Sequence, residues 1–170
     1  MKFNNKQNKP YKTEDGILWA SRSVAVAGVV FAQMADSNEI YVLLTKRSMY
    51  MQDEAGKWCL PCGYLDWDET VADATNREIY EETGFDVDLH KEYLSLEVPM
   101  FKIDDVPDSN KHQNITFSTL KVYGSLTEFP TILSMTDESD DNRWVSVDTL
   151  DSYILAFNHI DTIQKALKYV

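Results

Sequence analysis

The chain is poor in basic residues, in cysteine and histidine, and in long apolar runs, and each shortage removes a class of function. Lys and Arg number 16 against 28 Asp and Glu, giving a net charge of −12 over 170 residues. The pI is near 4.5. The average surface field therefore repels nucleic acid and anionic membranes. A phosphorylated substrate would have to be drawn in against that field by a metal and by local Lys or Arg. No stretch approaches the roughly 18 to 20 apolar residues of a membrane helix. Met1 to Pro10, MKFNNKQNKP, lacks the apolar core of a signal peptide. The expectation is a cytoplasmic protein without nucleic-acid or membrane partners.

The 2 cysteines, Cys59 and Cys62, form one Cys-x-x-Cys. A redox dithiol needs a thioredoxin-like strand-to-helix context, and a zinc site needs two further ligands. His90, His112 and His159 show no paired spacing. The plainer reading is two small residues in a tight loop, held as thiols by a reducing compartment. No internal repeat, linker or low-complexity segment is visible beyond the polar N-terminus.

What the chain does have is a hydrophobic content of 44%, enough for one domain with a real core. Residues 1–12 are expected as a flexible tail, the first ten of them alternatively as an early edge segment. Residues 13–170 are then the single domain. Ile17 to Ser21 and Val24 to Phe31 read as strands, Asp36-Ser37-Asn38 as a turn and Ile40 to Thr45 as the partner strand. Phe85 to Val98 alternates and suggests one or two strands, and Ile115 to Tyr123 has clear period two. Asp104 to His112 and the acidic Thr136 to Asn142 read as loops, and Arg143 to Val147 as another strand. Ile160, Ile163, Leu167 and Val170 recur at helical spacing, so a terminal amphipathic helix begins near Asn158.

The most informative stretch runs from Gly63 to Phe85, GYLDWDETVADATNREIYEETGF. Thr70 with Asp73 makes a capping-box pattern and Gly84 a C-terminal stop, predicting a helix from about Val71 to Thr83. At about 100° per residue, Glu78, Glu81 and Glu82 share one face, with Ala72 and Ile79 as the buried edge. Asp73, Arg77 and Glu81 follow at i, i+4 spacing, so the arginine can brace the glutamates. At about 4 Å and an effective dielectric near 20, each like-charge pair costs about 4 kcal/mol. Such carboxylates spread into solvent, take up protons, or hold a hard cation such as Mg²⁺ or Mn²⁺.

These residues resemble the Nudix box, Gly-x5-Glu-x7-Arg-Glu-U-x-Glu-Glu-x-Gly-U with U a bulky apolar residue. Gly63, Glu69, Arg77, Glu78, Ile79, Glu81, Glu82, Gly84 and Phe85 fill its fixed positions. The resemblance implies an α/β fold, the Nudix α/β/α sandwich with a mixed sheet, and hydrolysis of a phosphoanhydride with Mg²⁺ or Mn²⁺ as cofactor. It implies Glu78, Glu81 and Glu82 as metal ligands, with the backbone carbonyl of Cys62, where the family usually has glycine. Glu78 is the implied candidate base, or else an acid from a distant loop, for which Glu138 or Asp140 stands ready. Arg77 is expected to orient the glutamates, Glu69 to support the metal site or only the loop, and Gly63 to need unusual backbone angles or close approach to phosphate. Lys46 and Arg47 are either solvated surface or flank the substrate phosphates.

The expected partner is a small-molecule nucleotide, a nucleoside diphosphate linked to another moiety. ADP-ribose or a sugar nucleotide ranks ahead of a nucleoside triphosphate, because some ADP-ribose-hydrolysing relatives carry a proline beyond the box and Pro99 stands near that place. Trp19, Tyr64, Trp67, Phe101, Phe117 and Trp144 could stack a base, though strand aromatics are more often core. A homodimer is left open. The alternative is a catalytically idle nucleotide sensor, as in relatives with an attached DNA-binding domain; no residues remain for such a domain, and the complete glutamate set favours turnover.

Overall fold

The computed structural model describes residues 9–20, 24–51, 53–66, 68–102 and 115–170. Strands β1 (Lys9–Thr13) and β2 (Gly16–Ala20) pair antiparallel as a separate two-stranded sheet. The tail expected over residues 1–12 therefore gives way to a strand at Lys9, and residues 1–8 lie outside the described part. Every side chain of β1 is exposed, so that strand carries no buried face for a sequence pattern to reveal.

The long strand β3 (Val24–Met34) is the axis of the main sheet. Its apolar run is buried because it is covered on both faces: Ala27, Val29 and Phe31 join one core, Val30 and Ala32 the other. β4 (Ile40–Arg47) returns antiparallel after a turn in which Asn38 takes a left-handed conformation. Two short strands, β5 (Trp58–Cys59) and β6 (Cys62–Tyr64), pair antiparallel with β4 and β3. The helix α1 (Val71–Thr83) follows, then β7 (Leu94–Lys102) and β8 (Ile115–Leu126). β8 lies parallel to β3 and antiparallel to β7, so the sheet is mixed. β9 (Ser139–Ser146) pairs with β4, and α2 (His159–Ala166) ends the described fold with a short 3-10 turn.

α1 covers one face of the sheet through Ile79, in a core with Phe85, Leu43 and Tyr123. α2 covers the other through Ile163 and Ala166, against Phe31, Leu44 and Leu120. The expected α/β/α layering is thus present.

Several boundaries differ from the sequence reading. Phe85 is a core residue, but 86–93 form turns and a 3-10 segment before β7 begins, so only the end of that alternating stretch is strand. β9 opens at Ser139, inside the expected acidic loop, and Val147 has already left it. The buried edge of α1 is Ala74, Thr75 and Ile79, whereas Ala72 is exposed. The expected loop from Asp104 to His112 lies outside the described residues, as do Ser21 and Trp67 and the side chains of Trp19 and Phe101.

Candidate active site

The helix α1 forms where the sequence places it. The Thr70 side chain accepts from the Asp73 amide, the Asp73 carboxylate accepts from the Thr70 amide, and Gly84 closes the end at φ 70°. Asp73 is spent on this cap, so the expected Asp73–Arg77 contact gives way to other partners. Arg77 is buried and its guanidinium serves three glutamates. Nε and Nη2 donate to the two oxygens of Glu69 at 3.1 and 2.8 Å, and Nη1 donates to Glu78 at 2.5 Å and Glu81 at 3.0 Å. Nη2 also reaches the Tyr64 carbonyl at 2.9 Å, tying the helix to β6. Burial alone would lower the Arg77 pKa, but Glu69, Glu78 and Glu81 raise it, so the side chain stays a cation. Glu69 in turn accepts from the Asp66 amide, so it braces the loop as well as the arginine.

Glu78 and Glu82 are each only 7% exposed, on one helix of a protein that has acid to spare for its surface. Glu82 Oε2 accepts from the Cys62 amide at 3.2 Å, which fixes it against the start of β6. Gly63 lies flat against Glu78: a Cβ built there would fall onto the Glu78 carboxyl group. Its backbone is not left-handed, so the need for glycine comes from this close approach and not from unusual angles.

The third acid comes from far along the chain. The Glu82 carbonyl, at the open end of α1, accepts from Asn142 Nδ2 at 2.9 Å, Ser139 Oγ at 3.0 Å and Thr136 Oγ1 at 3.4 Å. These bonds hold the 136–142 segment against the helix and deliver Glu138, whose carboxyl oxygen lies within 4.8 Å of those of Glu78 and Glu82. Glu81 stays beside this trio on Arg77. Asp140, the other acid expected from this loop, accepts from the Met49 amide at 3.0 Å.

The electrostatics follow from that crowding. Burial pushes the Glu78 carboxyl up to about 7 despite the pull of Arg77. Burial also drives Glu82 well above the usual carboxylate range, helped by Cys62 and Glu78. Partial desolvation and then Glu81 raise Glu138. Carboxylates that are disfavoured as anions, lie within ligand distance of one another and present oxygen only fit a hard divalent cation, which would replace their protons.

Arg47 is buried, unlike ordinary solvated surface. Its Nη2 reaches Asp53 Oδ1 at 3.2 Å and its guanidinium lies 4.7 Å from the Phe157 ring centroid. Burial works against its charge, while Cys62, Cys59, Asp53 and Glu82 raise its pKa, so it supplies positive potential beside the carboxylates. Among the aromatics considered for stacking, Trp144 is spent on the core, with Nε1 donating to the Pro130 carbonyl and its ring against Phe129 and Phe85. Phe117 and Tyr64 are half-buried on β8 and β6, and Pro99 is exposed on β7.

Sequence reasoning missed two groups. Ser139 and Asn142 carry no motif, and only their bonds to the Glu82 carbonyl mark them. His159, which has no neighbouring partner in sequence, meets Cys59 and Cys62 in space.

A family model described as NUDIX domain matches residues 22–166. Among characterised proteins, the chain is 26% identical over 133 residues to the "ADPR responsive transcriptional repressor NtrR" of Acinetobacter baylyi, an alignment covering 77% of this chain and 48% of that protein. It is 31% identical over 109 residues to the RNA pyrophosphohydrolase of Bartonella henselae, covering 59% of this chain and 63% of that one. The match therefore spans about half to two thirds of the length of these relatives. Among solved structures, a bifunctional NMN adenylyltransferase/ADP ribose pyrophosphatase from Francisella tularensis, complexed with AMP and a Mn ion, superposes with a TM-score of 0.63 at 23% identity, over 88% of this chain and 42% of that one. Among the described residues, no helix is long and apolar enough to cross a membrane.

Proposed function

The chain belongs to the NUDIX domain family, and we propose that it hydrolyses the phosphoanhydride bond of a nucleoside diphosphate linked to another moiety, with Mg²⁺ or Mn²⁺ as cofactor. The observation that carries this reading is the convergence of Glu78, Glu82 and Glu138, two of them buried, within 4.8 Å. Glu78 and Glu82 are the first choice to hold the cation, with Glu138, Glu81 and the Cys62 carbonyl as further oxygen donors. Bound there, a divalent ion neutralises phosphate oxygens and acidifies a water.

The protein's own part is placement and proton transfer. Arg77 aims Glu78 and Glu81 through its hydrogen bonds, as a positioning residue. Gly63 leaves the Glu78 carboxyl its space and lets backbone approach the substrate. Arg47 adds positive potential that offsets the acidic surface field for an incoming diphosphate. Glu138, at the surface on a tethered loop, is the group best placed to take a proton from water and release it to solvent; Glu78 is the other candidate.

ADP-ribose or a sugar nucleotide is favoured over a nucleoside triphosphate. The names of a relative and of a structural neighbour, which speak of ADPR response and of ADP ribose pyrophosphatase activity, support this choice. The first of these also supports a second reading, a nucleotide sensor without turnover. A panel of nucleoside diphosphate derivatives and triphosphates with Mg²⁺, with products identified by mass, separates the two. The enzyme releases a nucleoside monophosphate from its preferred substrate, and the Glu82→Gln variant folds but loses activity by about a hundredfold or more. Full activity in Glu82→Gln overturns the hydrolase assignment of this cluster; tight ADP-ribose binding without product establishes the sensor.

A further inference from the structure

We propose that Cys59, Cys62 and His159 form a second cation site, for zinc or an ion of the same thiophilic class, distinct from the carboxylate cluster. The two sulfurs and a ring nitrogen of His159 lie within 4.8 Å of one another. Ligands around one zinc ion, with Zn–S about 2.3 Å and Zn–N about 2.0 Å, stand about 3.5 to 3.8 Å apart. Closing by about 1.3 Å at most completes the geometry.

The cluster is built, not incidental. The turn from β5 to β6 carries both cysteines and is pinned to β3 by the Gly28 amide on the Pro61 carbonyl at 2.9 Å. The chain before α2 is laced to β5, with the Trp58 amide on the Ile154 carbonyl at 3.0 Å and the Ala156 amide on the Trp58 carbonyl at 2.8 Å. Phe157 and Asn158, both left-handed, then turn the chain so that His159 opens α2 above the cysteines. There the Leu60 amide donates to His159 Nδ1 at 3.0 Å. Cys59 is wholly buried and His159 nearly so.

Donor chemistry separates the two sites. Two thiolates and an imidazole select a soft or borderline ion, whereas the glutamates offer only hard oxygen. Two thiolates balance a divalent charge; the hydrogen bond with Cys59 and then burial push the Cys62 thiol well up, Arg47 pulls against them, and a bound ion would take the proton's place. Loading exchanges the Leu60–His159 hydrogen bond for a metal–nitrogen bond and leaves a fourth position for water. Three protein ligands make it an open site, unlike a closed four-ligand centre. Because the Cys62 amide also bonds Glu82, the ion would stiffen the turn on which the first box residue sits.

The test uses the full chain, reduced and stripped with a chelator, titrated with Co²⁺ in excess Mg²⁺. The expected result is one equivalent of cobalt with thiolate-to-metal charge-transfer absorption in the near ultraviolet, displaced by one equivalent of Zn²⁺. Absence of that band, with both thiols free by thiol-reagent titration in denaturant, overturns the proposal. His159→Gln should weaken cobalt binding by about tenfold or more, since even the loss of an outer partner of a ligand costs that much; unchanged affinity overturns the role of His159. A fold-independent check is the wild-type protein alone, where Zn²⁺ must slow modification of Cys62 by a thiol reagent, and equal rates with and without zinc count against the site.

Discussion

At the scale of single residues, the site depends on how closely backbone and carboxylate can approach. Gly63 illustrates this: the Glu78 carboxyl occupies the space that any side chain would need. Gly63→Ala is expected to keep the fold, because its backbone angles suit any residue, while pushing Glu78 out of line with Glu82 and Glu138. Metal-dependent turnover should fall by about 10-fold to 100-fold, the usual cost of disturbing the support of a metal ligand. Circular dichroism and steady-state kinetics on the same sample check it; wild-type kcat in this variant would show that Glu78 placement is not limiting. Arg77 is the counterpart, a cation with bonds to Glu69, Glu78, Glu81 and the Tyr64 carbonyl. Its i, i+4 link to Glu81 could be read from spacing. Its bidentate pair with Glu69 could not, because that contact crosses from the loop to the helix.

At the scale of elements, α1 was legible to the residue, since caps, glycine stop and glutamate face are all local signals. β3, β4 and β8 were legible for the same reason, through buried runs and period-two alternation, whereas β5 and β6, at 2 and 3 residues, are too short to show either. Of the outer hairpin, β2 was legible as a strand over Ile17 to Ser21, but β1 was not, because KPYKT buries nothing and so has no pattern to show. Nor was the start of β9, where Ser139 and Asn142 are buried by a helix far away in sequence. That tether carries its own expected outcome. Asn142 Nδ2 bonds the Glu82 carbonyl, the Leu133 carbonyl and Ser139 Oγ, so Asn142→Ala strips partners from buried acceptors at a cost of about 1–3 kcal/mol. It should also release Glu138 from the cluster without touching any carboxylate. If Glu138 is the proton acceptor, Asn142→Ala and Glu138→Gln lower kcat to similar degrees, and the double variant adds little to either. Additive losses in that cycle would assign the two residues to separate tasks.

At the scale of the whole molecule, the fold spends stability on keeping acids out of water in a chain already at −12. Glu78 is pushed to about 7 by burial from an ordinary 4.5, and Glu82 moves the same way. Between those two pH values the native state of the metal-free protein holds a proton that the unfolded chain has released. Stability from Glu78 is therefore fully present below about pH 4.5 and is lost as pH rises through about 7, by roughly 3 kcal/mol for a shift of this size. A divalent ion reverses the sign, since it binds the ionised carboxylates of the native state and must displace their protons to do so. The melting temperature of the metal-free protein should fall between about pH 5 and pH 7.5, and saturating Mg²⁺ should raise it more at about pH 8 than at about pH 5.5. Calorimetry with and without Mg²⁺ measures both slopes, and Glu82→Gln should flatten the difference between them. A magnesium effect that is constant with pH, or larger in acid, would mean that the ion binds somewhere other than these buried glutamates.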